Sequence, residues 1–66
     1  MDNETAAQYL NEHQLAQRLS LRVTTLRGWR LKKVGIPYSK FEKLVRYSLE
    51  NVLAYEEAAR KAGEQA

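Results

Sequence analysis

Residues 15–29, Leu-Ala-Gln-Arg-Leu-Ser-Leu-Arg-Val-Thr-Thr-Leu-Arg-Gly-Trp, decide how this chain is organised. Two short apolar-periodic segments meet at a break, Ser20–Leu21. Leu15, Ala16 and Leu19 form one stripe at helical spacing, which predicts a first helix over about residues 12–19. The second segment predicts a helix over about residues 23–31. At 100° per residue Val23, Leu26, Trp29 and part of Arg30 point one way; Thr24, Arg27, Gly28 and Leu31 point the other. The first set is expected to pack on helix one and the second to face outward. Val23, Thr24 and Thr25 are weak helix formers, and Gly28 costs roughly 1 kcal/mol against alanine. This helix therefore depends on tertiary packing of Leu26 and Trp29. If the turn needs a positive φ at Ser20, glycine would be the easiest residue there and serine adopts it at some cost; Leu21 is expected to plug the gap between the helices.

Working outward, Asn11 is a good N-cap, and Gln14 can complete a capping box. Leu10 is placed to staple against Leu15. Residues 1–8 are polar and read as a flexible segment. Downstream, Gly35 and Pro37 punctuate a connector over Lys32 to Pro37. Two alternating stretches follow, about residues 38–41 and 44–48, separated by Glu42–Lys43. They predict a β-hairpin with Phe41, Val45 and Tyr47 facing in, Lys40 and Arg46 facing out, and Lys43 at the tip. Such a hairpin is not stable alone and must lie on the helices. A third helix is expected over about residues 50–62, started by Ser48 or Glu50, with Val52, Leu53, Tyr55, Glu56 and Ala59 on its inner face. Gly63 fits its C-cap, with residues 63–66 as a tail. The fold class is thus mainly α with a small hairpin, in one domain over residues 9–62.

Eleven Lys and Arg against eight Asp and Glu leave a net charge of +3 in 66 residues. The distribution matters more than the total. Between Arg18 and Arg46 lie nine basic residues opposed only by Glu42, while the other acids sit toward the two ends. A concentrated basic middle suits a polyanion. There is no cysteine, which excludes disulfides and thiolate metal sites. No apolar run approaches the roughly 20 residues of a bilayer span. The polar, acidic start is unlike a secretory or mitochondrial leader, so the expected location is the cytoplasm. His13 is the single histidine and is read as a solvated surface residue. With one His, no Cys and no Gly-rich phosphate loop, no catalytic constellation or cofactor site is in view.

Two helices joined by a tight break, the second carrying cations, are the sequence form of a helix-turn-helix. The order helix, turn, helix, Gly/Pro connector, basic hairpin, helix resembles the MerR-like winged-helix DNA-binding domains. In size it is most similar to the small stand-alone kinds: phage and mobile-element excisionases, AlpA-type prophage regulators, and the DNA-binding part of phage terminase small subunits. The residues that carry the resemblance are Tyr9-Leu10-Asn11 with Leu15, Ala16 and Leu19, then Thr25-Leu26-Arg27-Gly28-Trp29. Gly35-Ile36-Pro37-Tyr38, Val45-Arg46-Tyr47 and Asn51-Val52 follow, so about residues 9–56 are covered. Three positions depart from the pattern. Ser20 stands where a turn glycine is common, Arg22 where a Ser or Thr cap is common, and Glu42 where the wing tip often has glycine.

The resemblance implies helix two in a major groove of double-stranded DNA and the hairpin, as a wing, on an adjacent minor groove or its backbone. Arginine can bond bidentately to guanine, and threonine or lysine suits phosphate oxygens. Thr24, Arg27 and Arg22 are the candidate base contacts. Thr25, Arg30, Lys40, Lys43 and Arg46 are the candidate phosphate or minor-groove contacts. The implied partners are duplex DNA and either a recombinase or further copies of the chain; the implied roles are recombination directionality or transcription regulation in a phage or mobile element.

Plainer readings stand beside these. Surface arginines are more often solvated than engaged. Arg30, near the inner face, pairs with Glu56 or Glu57 in the alternative. Arg46 equally suits a structural salt bridge. Tyr9, Tyr38, Tyr47 and Tyr55 are read as core residues, not as a stacking platform. As a whole, the chain alternatively reads as a terminase DNA-binding domain or as a protein-interaction adaptor that binds no DNA.

Overall fold

The computed structural model describes residues 8–65; the expected flexible segment over residues 1–8 falls almost wholly outside them. In chain order the elements are β1 (Tyr9–Leu10), α1 (Glu12–Leu19), α2 (Val23–Lys32), β2 (Ser39–Phe41), β3 (Leu44–Ser48) and α3 (Leu49–Gln65). Three helices and a three-stranded antiparallel sheet of order β1-β3-β2 make a mainly helical fold.

The start of α1 follows from its sequence. Asn11 is extended (φ −82°, ψ 175°), and its side chain accepts from the Gln14 amide at 2.8 Å while the Gln14 side chain accepts from the Asn11 amide at 2.8 Å. That reciprocal pair satisfies two otherwise orphaned donors. α1 and α2 then end in the same way. The Leu21 amide donates to Ala16 O and the Ser20 amide to Gln17 O; the Val34 amide donates to Trp29 O and the Lys33 amide to Arg30 O. These are paired Schellman closures, and both place a non-glycine residue in the left-handed region, Ser20 at φ 58° and Lys33 at φ 59°. The turn does need a positive φ at Ser20, which serine adopts in place of glycine. The one at Lys33 has no glycine to announce it. Arg22, at the start of α2, makes no side-chain cap.

Gly35 is required twice over. It sits at φ 85°, and a Cβ there would fall 2.6 Å from the Trp29 ring. The connector is thereby pressed onto α2, which buries Ile36. The buried core draws on all three helices, the central strand and the connector: Leu15 and Ala16 of α1, Leu26 of α2, Ile36, Tyr47 of β3 and Val52 of α3. Each large apolar side chain so removed from water contributes about 1.5–3 kcal/mol. Leu10, Leu19, Leu21, Val23, Trp29, Val45 and Tyr55 pack around it.

Several expectations are corrected. Tyr9–Leu10 is a strand, paired with β3 through Tyr9–Ser48 and Leu10–Tyr47, and not only a staple for α1. The hairpin starts at Ser39, and α2 runs one residue further than expected. α3 begins at Leu49, with the Asn51 amide donating to the Ser48 hydroxyl, and runs straight through Gly63 to Gln65, so neither the Gly63 cap nor a tail at 63–65 is present. The hairpin register pairs Phe41 with Leu44, Lys40 with Val45 and Ser39 with Arg46. Directly paired residues share a face. Phe41 therefore lies opposite Val45 and Tyr47, 48% exposed, with its ring edge-on to Tyr9 at 5.6 Å. For the same reason Lys40 and Arg46 occupy opposite faces. Of the four tyrosines only Tyr47 is buried; Tyr9 and Tyr38 are exposed. Leu53 and Ala59 are exposed on α3 as well.

Candidate nucleic-acid interface

The outer side of α2 is built as its periodicity dictates. Thr24, Arg27 and Leu31 are exposed, with Leu31 at 86%, while Leu26 is buried and Val23 and Trp29 are half-buried. A Cβ on Gly28 would meet nothing within 4 Å, so that position leaves the helix surface low and open. Thr25 is half-buried and its amide caps back to Arg22 O at 3.0 Å. Arg22 is exposed.

The linear charge map does not survive folding. Glu12, assigned by its sequence position to the acidic beginning of the chain, turns onto α2. Arg27 Nε donates to Glu12 Oε1 at 3.1 Å and Arg27 Nη2 to Oε2 at 2.6 Å. Arg30 Nη2 donates to the same Oε1 at 3.1 Å, and Arg30 Nη1 donates to the Tyr47 hydroxyl at 2.7 Å. The Arg30 guanidinium also lies 5.8 Å from the centre of the Tyr38 ring. Arg30 therefore pairs with neither Glu56 nor Glu57; Glu56 is held by Arg18, through Nε at 2.7 Å and Nη2 at 3.0 Å. Arg27 is exposed (54%) yet paired, whereas Arg30 is largely enclosed (18%).

The electrostatic consequence falls on Glu12. Its hydrogen bond to Arg27, reinforced by Arg30 and opposed by partial burial, holds the carboxyl at about 2 against an ordinary value of 4.5. Glu56 is likewise lowered, by its hydrogen bond to Arg18. Both carboxylates stay ionised at neutral pH and cancel part of the positive field of α1 and α2.

The hairpin holds its cations differently. Among the described residues, no carboxylate lies within 4.0 Å of Arg22, Lys32, Lys33, Lys40, Lys43 or Arg46. Arg46 instead donates from Nη1 to Val45 O at 2.8 Å, so the alternative of a structural salt bridge is not met among those residues. Glu42, at the first loop position, has φ 58° where glycine would be unstrained. A cleft lined by Asn11, Glu12, His13, Lys43, Leu44, Val45 and Arg46 joins the start of α1 to this hairpin. Glu12 is thus common to the cleft that holds Lys43 and Arg46 and to the ion pair with Arg27 of α2. Lys40 stands apart from the cleft.

Charge reading had placed Arg27 and the hairpin cations in the site. It missed Glu12, whose only signal was its place in the first turn of a helix packed against α2. Among the described residues no group of three or more His, Cys, Asp or Glu side chains is placed to hold a metal ion, and no helix is long and apolar enough to cross a membrane. No family model, curated protein or solved structure matches the chain.

Proposed function

We propose that this chain is a winged helix-turn-helix module that binds double-stranded DNA without catalysis, with α2 as the major-groove helix and the β2–β3 hairpin as a wing on the backbone or minor groove. The observation that carries the reading is that one carboxylate, Glu12, holds Arg27 on the exposed side of α2 and also lines the cleft with Lys43 and Arg46, two cations with no carboxylate partner among the described residues. Free cations suit phosphates, which set register, and an ordered arginine suits a base edge. Arg22 flanks the helix start as the N-cap residue, and the half-buried Thr25 lies in the first turn beside it. Arg30 serves this surface indirectly, by holding Glu12. The role that fits this reading is that of an excisionase-type factor acting beside a recombinase, or a regulator of transcription, in a phage or mobile element.

Titration with duplex oligonucleotides tests the reading. If about five phosphates are neutralised, log affinity falls with log salt at a slope near −4 to −5. No binding to any duplex at low ionic strength overturns it.

A second reading, a protein-interaction adaptor, draws on the apolar outer face of the sheet, where Tyr9, Phe41 and Leu44 stand exposed together. Clustered exposed apolar residues mark interaction surfaces. Binding to acidic proteins as strong as to duplex DNA favours that reading over the first.

A further inference from the structure

We propose that Glu12 is a positioning residue for sequence reading: its carboxylate grips the side edge of the Arg27 guanidinium so that the adjoining end edge is presented, already oriented, to a guanine. This rests on the DNA-binding reading above and extends it to a residue that touches no base.

The geometry separates the two edges of one side chain. A guanidinium carries five N–H donors in a rigid plane. Glu12 takes the side edge, Nε and one hydrogen of Nη2. The end edge, made by Nη1 and the second hydrogen of Nη2, has no partner among the described residues and belongs to an exposed side chain. Two parallel donors on one edge are what guanine O6 and N7 require. The pairing that removes Arg27 from the pool of free charges therefore leaves its base-reading edge open.

The grip is anchored in the core. Tyr47, 2% exposed on the central strand, accepts from Arg30; Arg30 donates to Glu12; Glu12 accepts from Arg27. Tyr38 flanks Arg30 on its ring side. The capping box at Asn11 and Gln14 fixes the backbone beside Glu12. A long arginine side chain loses considerable rotamer freedom when a partner orders it. Here that loss is taken on folding and not on binding. The same carboxylate weakens the pull of α2 on phosphates of any sequence, so it favours discrimination at the expense of indiscriminate affinity.

The test uses the full chain. Duplexes selected from a randomised pool by the wild-type protein define its preferred site. Arg27→Ala then identifies the base pair whose preference depends on Arg27, and replacing guanine there by 7-deazaguanine confirms the contact. Glu12→Gln is expected to lower preference at that pair by about tenfold, to leave preferences elsewhere in the site intact, and to bind random duplex as well or better. Glu12→Asp keeps the charge but withdraws it by one methylene, and the same loss is expected without the gain on random duplex. Combined with Arg27→Ala, neither change should cost further preference. Should Glu12→Gln prevent folding, Glu12→Asp carries the measurement alone. Undiminished preference in folded Glu12→Gln and Glu12→Asp overturns the proposal and leaves DNA binding standing. So does a wild-type site in which no pair depends on Arg27. Absence of any duplex binding by the wild-type chain overturns both.

Discussion

α2 and the β2–β3 hairpin carry the same sign of charge and hold it in opposite ways. On α2, Arg27 and Arg30 share one carboxylate, and Arg30 is tied to the buried Tyr47. On the hairpin, Lys40 and Lys43 have no carboxylate partner among the described residues, and Arg46 reaches only a backbone carbonyl. The contrast teaches that charge on the proposed DNA-binding surface divides into two kinds. A cation ordered by the fold can discriminate between bases, because its geometry is fixed before contact. A cation left loose supplies a field, and a field attracts every phosphate alike.

The contrast breaks most completely if the ordered side loses its support. Gly35→Ala drives a Cβ into Trp29 and strains a positive φ. A loss of about 2–3 kcal/mol is expected in thermal or denaturant unfolding, a large share of what so small a domain possesses. The neighbouring exposed Leu31→Ala should stay within about 0.5 kcal/mol.

Arg27→Ala comes next. It should erase preference at one base pair, worth about 1–3 kcal/mol between cognate and altered duplexes, while binding to random duplex changes far less. Equal loss on every sequence would place Arg27 with the field-forming cations.

Acid sharpens the comparison without mutation. Because the Glu12 carboxyl is lowered to about 2 in the folded chain, its contribution is complete above the ordinary value of 4.5 and is lost as pH falls from there through 2. Glu56, also lowered, acts in the same direction. Unfolding measured between pH 5 and 2 should show a stability loss of about 1–2 kcal/mol from Glu12 after solvent screening, and Glu12→Gln should flatten that part of the profile.

Smaller effects belong to the hairpin. Lys43→Ala should weaken all duplexes alike and make the salt slope shallower by about 1. Glu42→Gly should relieve the left-handed strain, raising stability by about 1 kcal/mol, and tighten binding to every duplex by removing a negative charge from the loop. A change in sequence preference from either substitution would contradict the division drawn here.

Where local chemistry dominates, the sequence was readable. The Asn11–Gln14 cap, the break at Ser20–Leu21, the buried Leu26 beneath an exposed Thr24 and Arg27, and the Ser48 start of α3 all follow from residues within a turn of one another. Strand β1 was hidden because two residues carry no period. The inward placement of Phe41 failed because two faces of a three-residue strand are separated by a single register step, which the pairing with Leu44 decides. Lys33 carries no side-chain signal for the left-handed turn it makes, which closes α2 through the Lys33 and Val34 amides.

The sequence by itself determined the helices, the hairpin, and which side of α2 turns from the core, since all of these depend on spacing along one chain. Only tertiary structure decided which positive charges remain free. Hydrophobic periodicity acts between residues three and four apart, whereas the Glu12 carboxylate finds Arg27 and Arg30 across 15 and 18 positions. A charge that looks unopposed along the chain is opposed, or not, by whatever packing brings within about 4 Å.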